Sequence, residues 1–184
     1  MAVSVPAEVI EAARDGSEAD TERLLVLIWP EAYRLARSIV GERQGAEDVA
    51  QEACIILCRT LKSLHSSAAF RVWFYRVVVR EASEFKRRRS REEPPTATAP
   101  DTADHVAALD VWHALSVLPR KLRDVVVLRY FEDLSSREIA SVLRIPDGTV
   151  RFRLMIAKRL LRPLLDERPG YISPTLSEVT THAV

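Results

Sequence analysis

Leu134-Ser135-Ser136-Arg137-Glu138-Ile139-Ala140, followed by Ile145-Pro146-Asp147-Gly148-Thr149-Val150-Arg151-Phe152-Arg153, reads as two short helices joined by a tight turn. Ser135 and Glu138 have capping-box spacing, in which hydroxyl and carboxylate each satisfy the other residue's backbone N–H. That fixes the start of the first helix, whose buried side is expected to be Ile139, Ala140 and Leu143. Pro146 is expected to stop it and to open the next helix, a position where its missing N–H costs nothing. Gly148 leaves room for a phosphate backbone to approach. In the second helix Val150, Leu154, Ala157 and Leu161 share one face. Arg151, Phe152, Met155, Lys158 and Arg159 lie opposite. Arg151 suits guanine O6/N7 or a phosphate, and Phe152 and Met155 suit a thymine methyl. Arg153, Lys158 and Arg159 suit phosphates, contacts that position a protein without reading sequence. This is a helix-turn-helix with a cationic recognition helix.

Further upstream, Phe70-Arg71-Val72-Trp73-Phe74-Tyr75-Arg76 leads through Arg80 to Lys86-Arg87-Arg88-Arg89-Ser90-Arg91. Rings interleaved with cations suit single-stranded nucleic acid, because bases stack while charges follow the backbone. Phe70, Phe74 and Val77 are expected in the core; Tyr75, Arg76 and Arg80 are expected on the polar side. Asp48, Gln51 and Glu52 form a compact polar face on the preceding helix, suited to a protein partner.

The reading is all-α. Glycine is scarce, with 5 in 184 residues, and apolar residues recur at helical spacing. A first helix is expected near Val9–Arg14, stopped by Asp15-Gly16. Leu24, Ile28, Leu35 and Ile39 mark a second, ended by Gly41. Val49, Ala53, Ile56, Leu57 and Thr60 mark a third, with Glu47 and Asp48 expected in its first turn, at the positive end of its dipole. Phe70 to about Arg89 is a fourth, after a polar interruption at 63–69. Residues 92–104, with three prolines, read as a flexible acidic linker. Val106, Leu109, Trp112 and Leu115 then lead to Pro119 and a helix holding Leu122, Val125, Val126 and Tyr130. The expected division is 1–91 as a first helical domain, 92–104 as linker, 105–165 as the helix-turn-helix domain and 166–184 as a mobile tail.

The chain is 47% apolar and 29% charged, with a net charge of +1, the balance of an ordinary globular protein. Acids gather towards the N-terminus and cations around 80–91 and 144–162, which implies different partners for different faces. No apolar run approaches the roughly 18 residues that span a bilayer, and no secretory leader is visible. A cytoplasmic protein that makes no membrane contact is expected. Cys54 and Cys58 lack neighbours to complete a zinc site and read as small buried hydrophobes. The four histidines are scattered and the acids lack metal spacing, so no catalytic residue, metal or cofactor is expected.

Taken together, Gly45-Ala46-Glu47-Asp48-Val49-Ala50-Gln51-Glu52, the segment Trp73 to Arg88, and Leu118-Pro119 through Gly148-Thr149-Val150-Arg151 resemble the extracytoplasmic-function group of the sigma-70 family of bacterial transcription initiation factors. The resemblance implies a sigma2-like helical bundle and a sigma4-like helix-turn-helix, acting as a monomer within the polymerase holoenzyme. It implies that Asp48, Gln51 and Glu52 dock on the clamp helices of core RNA polymerase, whose flap is a further contact. It implies that the loop around Ser66 and Ser67 receives a base flipped from the −10 strand, at a cost of a few kcal/mol. Tyr75, Arg76, Arg80, Arg87 and Arg88 would hold that melted strand, and Arg151, Phe152, Arg153, Met155, Lys158 and Arg159 would engage the −35 duplex. The linker would thread the RNA exit channel. Arg80 stands where the family often has Asn, Phe152 where a small polar residue is usual and Ile156 where Arg is usual. Many relatives are held by an anti-sigma factor, a partner with no local signature. The competing reading is a dimeric operator-binding helix-turn-helix regulator, which leaves the Asp48/Gln51/Glu52 face unexplained and lacks a dimerisation heptad.

Overall fold

Ser17 begins the longest early helix by accepting the Asp20 N–H at 3.2 Å on its hydroxyl, and Gly41 ends it in the left-handed region at φ 91°. Both devices satisfy backbone groups that a helix end leaves without partners. The computed structural model describes residues 5–92, 115 and 117–166. Among them are seven α-helices, two 3-10 turns (Leu61–Ser63 and Ser67–Ala69) and no strand. The helices are α1 (Ala7–Arg14), α2 (Glu18–Val40), α3 (Arg43–Thr60), α4 (Phe70–Glu92), α5 (Arg120–Tyr130), α6 (Ser136–Leu143) and α7 (Asp147–Asp166).

α2 is the spine of the first body, and α1, α3 and α4 pack on it. It buries Leu24, Ile28, Ala32, Leu35, Ala36 and Ile39 against Val49, Ala53 and Leu57 of α3 and Phe70, Phe74 and Val78 of α4. Pro30 interrupts the α2 hydrogen-bond ladder opposite Val26, which is 68% exposed, so water can satisfy the freed carbonyl. α3 and α4 come close at Gly45, where an added Cβ would sit 2.5 Å from the Phe85 ring. Arg89 of α4 pairs with Glu42 at the start of α3.

The second body packs α5, α6 and α7 around Val125, Leu128, Leu134, Ile139, Val150 and Ala157. The turn from α5 to α6 is fixed by three bonds: Glu132 N–H to Val127 C=O at 3.2 Å, Leu134 N–H to Leu128 C=O at 3.0 Å, and Arg129 Nη1 to Leu134 C=O at 3.0 Å. Asp133 takes φ 49° there, a conformation that short Asx side chains tolerate. The two bodies touch: α2 packs on α5, and α4 packs on α6.

Most residues of the expected stripes are buried, Ile56 and Trp73 only half so, and several local expectations need correction. α3 begins at Arg43, one turn earlier than expected, so Glu47 and Asp48 lie outside its first turn and Glu47 instead pairs with Arg43 at 3.0 Å. Thr60 is exposed. In α6, Val142 is buried while Ala140 and Leu143 are half-buried. That helix ends before Pro146, because Arg144 swings to φ 54° and the Ile145 N–H closes on the Ala140 carbonyl at 3.1 Å. Tyr130 ends its helix 51% exposed. Cys54 is half-buried and Cys58 exposed, so neither is a core hydrophobe. Glu92, where the linker was expected to begin, still belongs to α4, and α7 runs through Pro163 to Asp166. The remaining linker residues, Val106, Leu109 and Trp112, and the tail from 167 lie outside the described residues.

Candidate nucleic-acid and polymerase interfaces

The capping box forms as the spacing demands. Glu138 N–H donates to Ser135 Oγ at 3.3 Å, and Ser135 N–H donates to Glu138 Oε2 at 2.7 Å. Burial would raise the Glu138 carboxyl, but the bonds from Ser135 outweigh it and hold the group below its ordinary 4.5. α6 is thereby aimed across α7, which buries Val150, Leu154 and Ala157 and half-buries Leu161.

The opposite face of α7 is open. Phe152 is 60% and Met155 56% exposed, with Arg151, Lys158 and Arg159 also exposed beside them. Nothing stands within 4 Å of a Cβ built on Gly148. Arg151 leans on Asp147 at 2.7 Å, one turn back, an exposed pair that orients the guanidinium at little energetic gain. Arg153 differs from its neighbours. It is half-buried, and the buried Asp124 has its carboxyl raised by burial against the opposing charges of Arg120, Arg123, Lys86 and, last, Arg153. Lys158 Nζ lies 5.9 Å from the centroid of the Tyr130 ring. Tyr130, expected in the apolar stripe, is instead an exposed aromatic beside α7; its position as the last residue of α5 was the available signal.

On the first body, Asp48, Gln51 and Glu52 are all exposed on α3. Asp48 and Glu52 line a cleft of about 900 Å³ between α3 and α4, with Glu81, Glu84, Arg88 and Arg89 on its other sides. The fold therefore brings Arg88, expected to meet nucleic acid, to the acidic face expected to meet protein. Glu81 and Glu84 were not anticipated there, because α3 and α4 had to be packed together before the cleft existed.

The residues expected to meet the melted strand are dispersed. Arg80 is exposed and bonds Glu81 Oε1 at 2.8 Å; Arg87 and Arg88 are exposed. Ser66 is exposed, while Ser67 Oγ donates to Glu11 Oε1 at 2.8 Å. Tyr75 is the clear correction. It was expected on the polar side of α4, yet it is 1% exposed, with its hydroxyl 2.9 Å from Glu31 Oε2 and 2.8 Å from Glu132 Oε2. Burial, then the charges of Glu132 and Glu31, push its phenol far above the usual range. Arg76 is half-buried and donates to Ser141 Oγ of α6 at 2.8 Å. The helical pattern could not show this, since the partners belong to the other body.

Two family models match this chain: Sigma-70 region 2 over residues 29–92, and Sigma-70, region 4 over residues 108–161. RNA polymerase sigma factor SigV of Bacillus subtilis is 31% identical over 135 residues, covering 71% of this chain and 81% of its own. The RNA polymerase sigma-H factor of Pseudomonas aeruginosa is 30% identical over 184 aligned positions, covering 87% of this chain and 95% of its own. In three dimensions the chain is similar to CnrH, solved with the cytosolic domain of CnrY, at a TM-score of 0.68 and 21% identity over 89% of this chain and 98% of that one. The sigma factor RpoE of Bartonella quintana, solved with the anti-sigma factor NepR, gives 0.69 and 22% over 82% and 99%. The fold and the two matched regions define a sigma subunit of bacterial RNA polymerase. The chain belongs to the sigma-70 family, in its extracytoplasmic-function group, and is an alternative sigma factor in promoter-specific transcription, acting with core polymerase and promoter DNA. Members of this family are regulatory subunits rather than enzymes. Among the described residues no helix is long and apolar enough to cross a membrane.

Proposed function

We propose that the two bodies divide promoter recognition, with residues 1–91 taking core polymerase and the −10 strand and residues 105–165 taking the −35 duplex. The observation that carries this reading is the split character of α7. Its apolar side is spent on the core, and its outer side offers Arg151, Phe152, Met155, Lys158 and Arg159 to a major groove. Arg151 reads a base edge, Phe152 and Met155 meet thymine methyls, and Lys158 and Arg159 hold phosphates. Arg153, half-buried on the same helix, adds a phosphate contact at the margin of that face. Asp48, Gln51 and Glu52 dock on the polymerase clamp helices, with Glu81 and Glu84 extending the acidic rim. Arg80, Arg87 and Arg88 track the melted −10 strand, Arg76 joins them when released from Ser141, and the Ser66–Ser67 loop receives its flipped base. Residues 93–104 thread the RNA exit channel. The protein works in the cytoplasm as a monomer within the holoenzyme, without catalytic residues of its own, and the anti-sigma complexes of its structural neighbours support an anti-sigma partner here.

Paired substitutions test the division. Arg151→Ala or Phe152→Ala is expected to change −35 discrimination by about 1–3 kcal/mol, the scale of a base-edge contact, while leaving polymerase binding intact. Asp48→Arg is expected to abolish holoenzyme formation in a pull-down while duplex binding persists. Equal loss of polymerase binding in both sets would contradict the assignment.

A further inference from the structure

α7 meets the core along Val150, Leu154 and Ala157, and its outer side is not uniformly cationic. Phe152 and Met155 stand out from it, 60% and 56% exposed. Ile156, half-buried, completes the group: it follows Phe152 by four positions and adjoins Met155. Positions three and four apart on a helix lie side by side, so Phe152, Met155 and Ile156 form one apolar patch. Charges bracket it along the helix, Arg151 ahead and Lys158 and Arg159 behind, all three exposed.

The chemistry of the patch decides what it can read. Phenylalanine and isoleucine side chains have no hydrogen-bonding atom, and a methionine thioether is only a weak acceptor. The patch therefore cannot tell bases apart by donors and acceptors. The one apolar group that a base pair presents in the major groove is the thymine C5-methyl. The cations at both ends suit the phosphates that flank such a groove. An apolar protein surface would cover the patch and offer nothing to those cations.

We infer that Phe152, Met155 and Ile156 make α7 a reader of pyrimidine methyl groups, so that 5-methylcytosine is accepted under the patch in thymine's place. The inference rests on the reading that α7 takes the −35 duplex. It adds the class of base edge selected and the residue, Ile156, that closes the patch. Cytosine and 5-methylcytosine differ only at C5, and both keep the N4 donor and the pairing with guanine. Methylation of a cytosine under the patch thus makes a disfavoured position a favoured one, with the order of bases unchanged.

Holoenzyme reconstituted from core polymerase and the full-length chain tests this. It first selects −35 elements from a randomised promoter library, and the selected duplexes are then resynthesised with modified bases. Replacing each thymine in turn with deoxyuracil removes one methyl and nothing else. At the thymines under the patch the change is expected to weaken binding about fourfold, the scale of one buried carbon. At the same positions 5-methylcytosine is expected to bind about fourfold more tightly than cytosine. Phe152→Ala and Ile156→Ala, checked for helix content by circular dichroism, are expected to lose the distinction between thymine and deoxyuracil where each side chain lies. The wild-type comparison stands without either variant. Equal binding of thymine and deoxyuracil duplexes at every −35 position overturns the inference, as does a methyl preference that survives in both variants. Cytosine and 5-methylcytosine duplexes that bind alike overturn the acceptance of the modified base. In each of these cases the selected −35 elements leave the underlying reading of α7 standing. A holoenzyme that enriches no −35 element refutes that reading, and the methyl inference falls with it.

Discussion

Glu138 does its work through two hydrogen bonds that its carboxylate accepts from Ser135, from the N–H at 2.7 Å and the hydroxyl at 2.6 Å, and the sign of its pH dependence follows from them. Its folded carboxyl sits below the ordinary 4.5, so the cap contributes fully above that pH. The contribution is lost as pH falls through the lower folded value. Glu138→Gln can keep the bonds but not the charge. The difference in melting temperature between wild type and this variant is therefore expected to be largest near neutrality and to shrink below pH 4.5. A difference that grows on acidification would contradict the capping role. This part was legible in the sequence, because a capping box is a local device spanning four positions. Tyr75 was not. Its place on α4 is set by Glu31 and by Glu132, 57 positions away, and no local pattern carries that information. Cys54 shows the same dependence on context: burial first, and the neighbouring Cys58 second, push its thiol up to about 11, whereas Cys58 is exposed.

At the scale of elements, periodicity located the helices and missed some of their ends. Leu24, Ile28, Leu35 and Ile39 repeat at helical spacing, and all four are buried on α2. The start of α3 at Arg43 was hidden because Glu42, its cap position, makes no side-chain capping bond for the sequence to advertise. The end of α6 was misplaced because Arg144 supplies the left-handed turn that Gly or Asn usually marks. α7 carries the prediction that belongs to this level. Each phosphate contact on duplex DNA contributes roughly 0.9 to the slope of log affinity against log salt. Lys158→Ala is expected to lower that slope by about one, uniformly across −35 sequences, whereas Phe152→Ala is expected to leave the slope alone and alter sequence preference. Fluorescence anisotropy titrations at several salt concentrations check both. An unchanged slope in Lys158→Ala would remove that residue from the phosphate contacts.

Across the whole molecule, the candidate site divides by how its parts arise. The exposed outer face of α7 and the exposed Asp48/Gln51/Glu52 face each lie on one helix, where helical spacing alone groups them. The α3–α4 cleft with Glu81 and Glu84 and the bond between Tyr75 and Glu132 need distant parts of the chain, and they emerged only from packing. Both bodies belong to one chain whose sequence segregates its charges, although packing brings Arg88 and Arg89 to the acidic face of α3. Their combination is what makes a sigma subunit rather than an operator-binding regulator. The measurement closest to that claim is run-off transcription with purified core RNA polymerase on a promoter library. Discrete transcripts are expected that appear only when the protein is added, share −35 and −10 elements, and vanish with Asp48→Arg. Sequence-specific duplex binding by the protein alone, with no initiation by added core polymerase on any promoter, would contradict it.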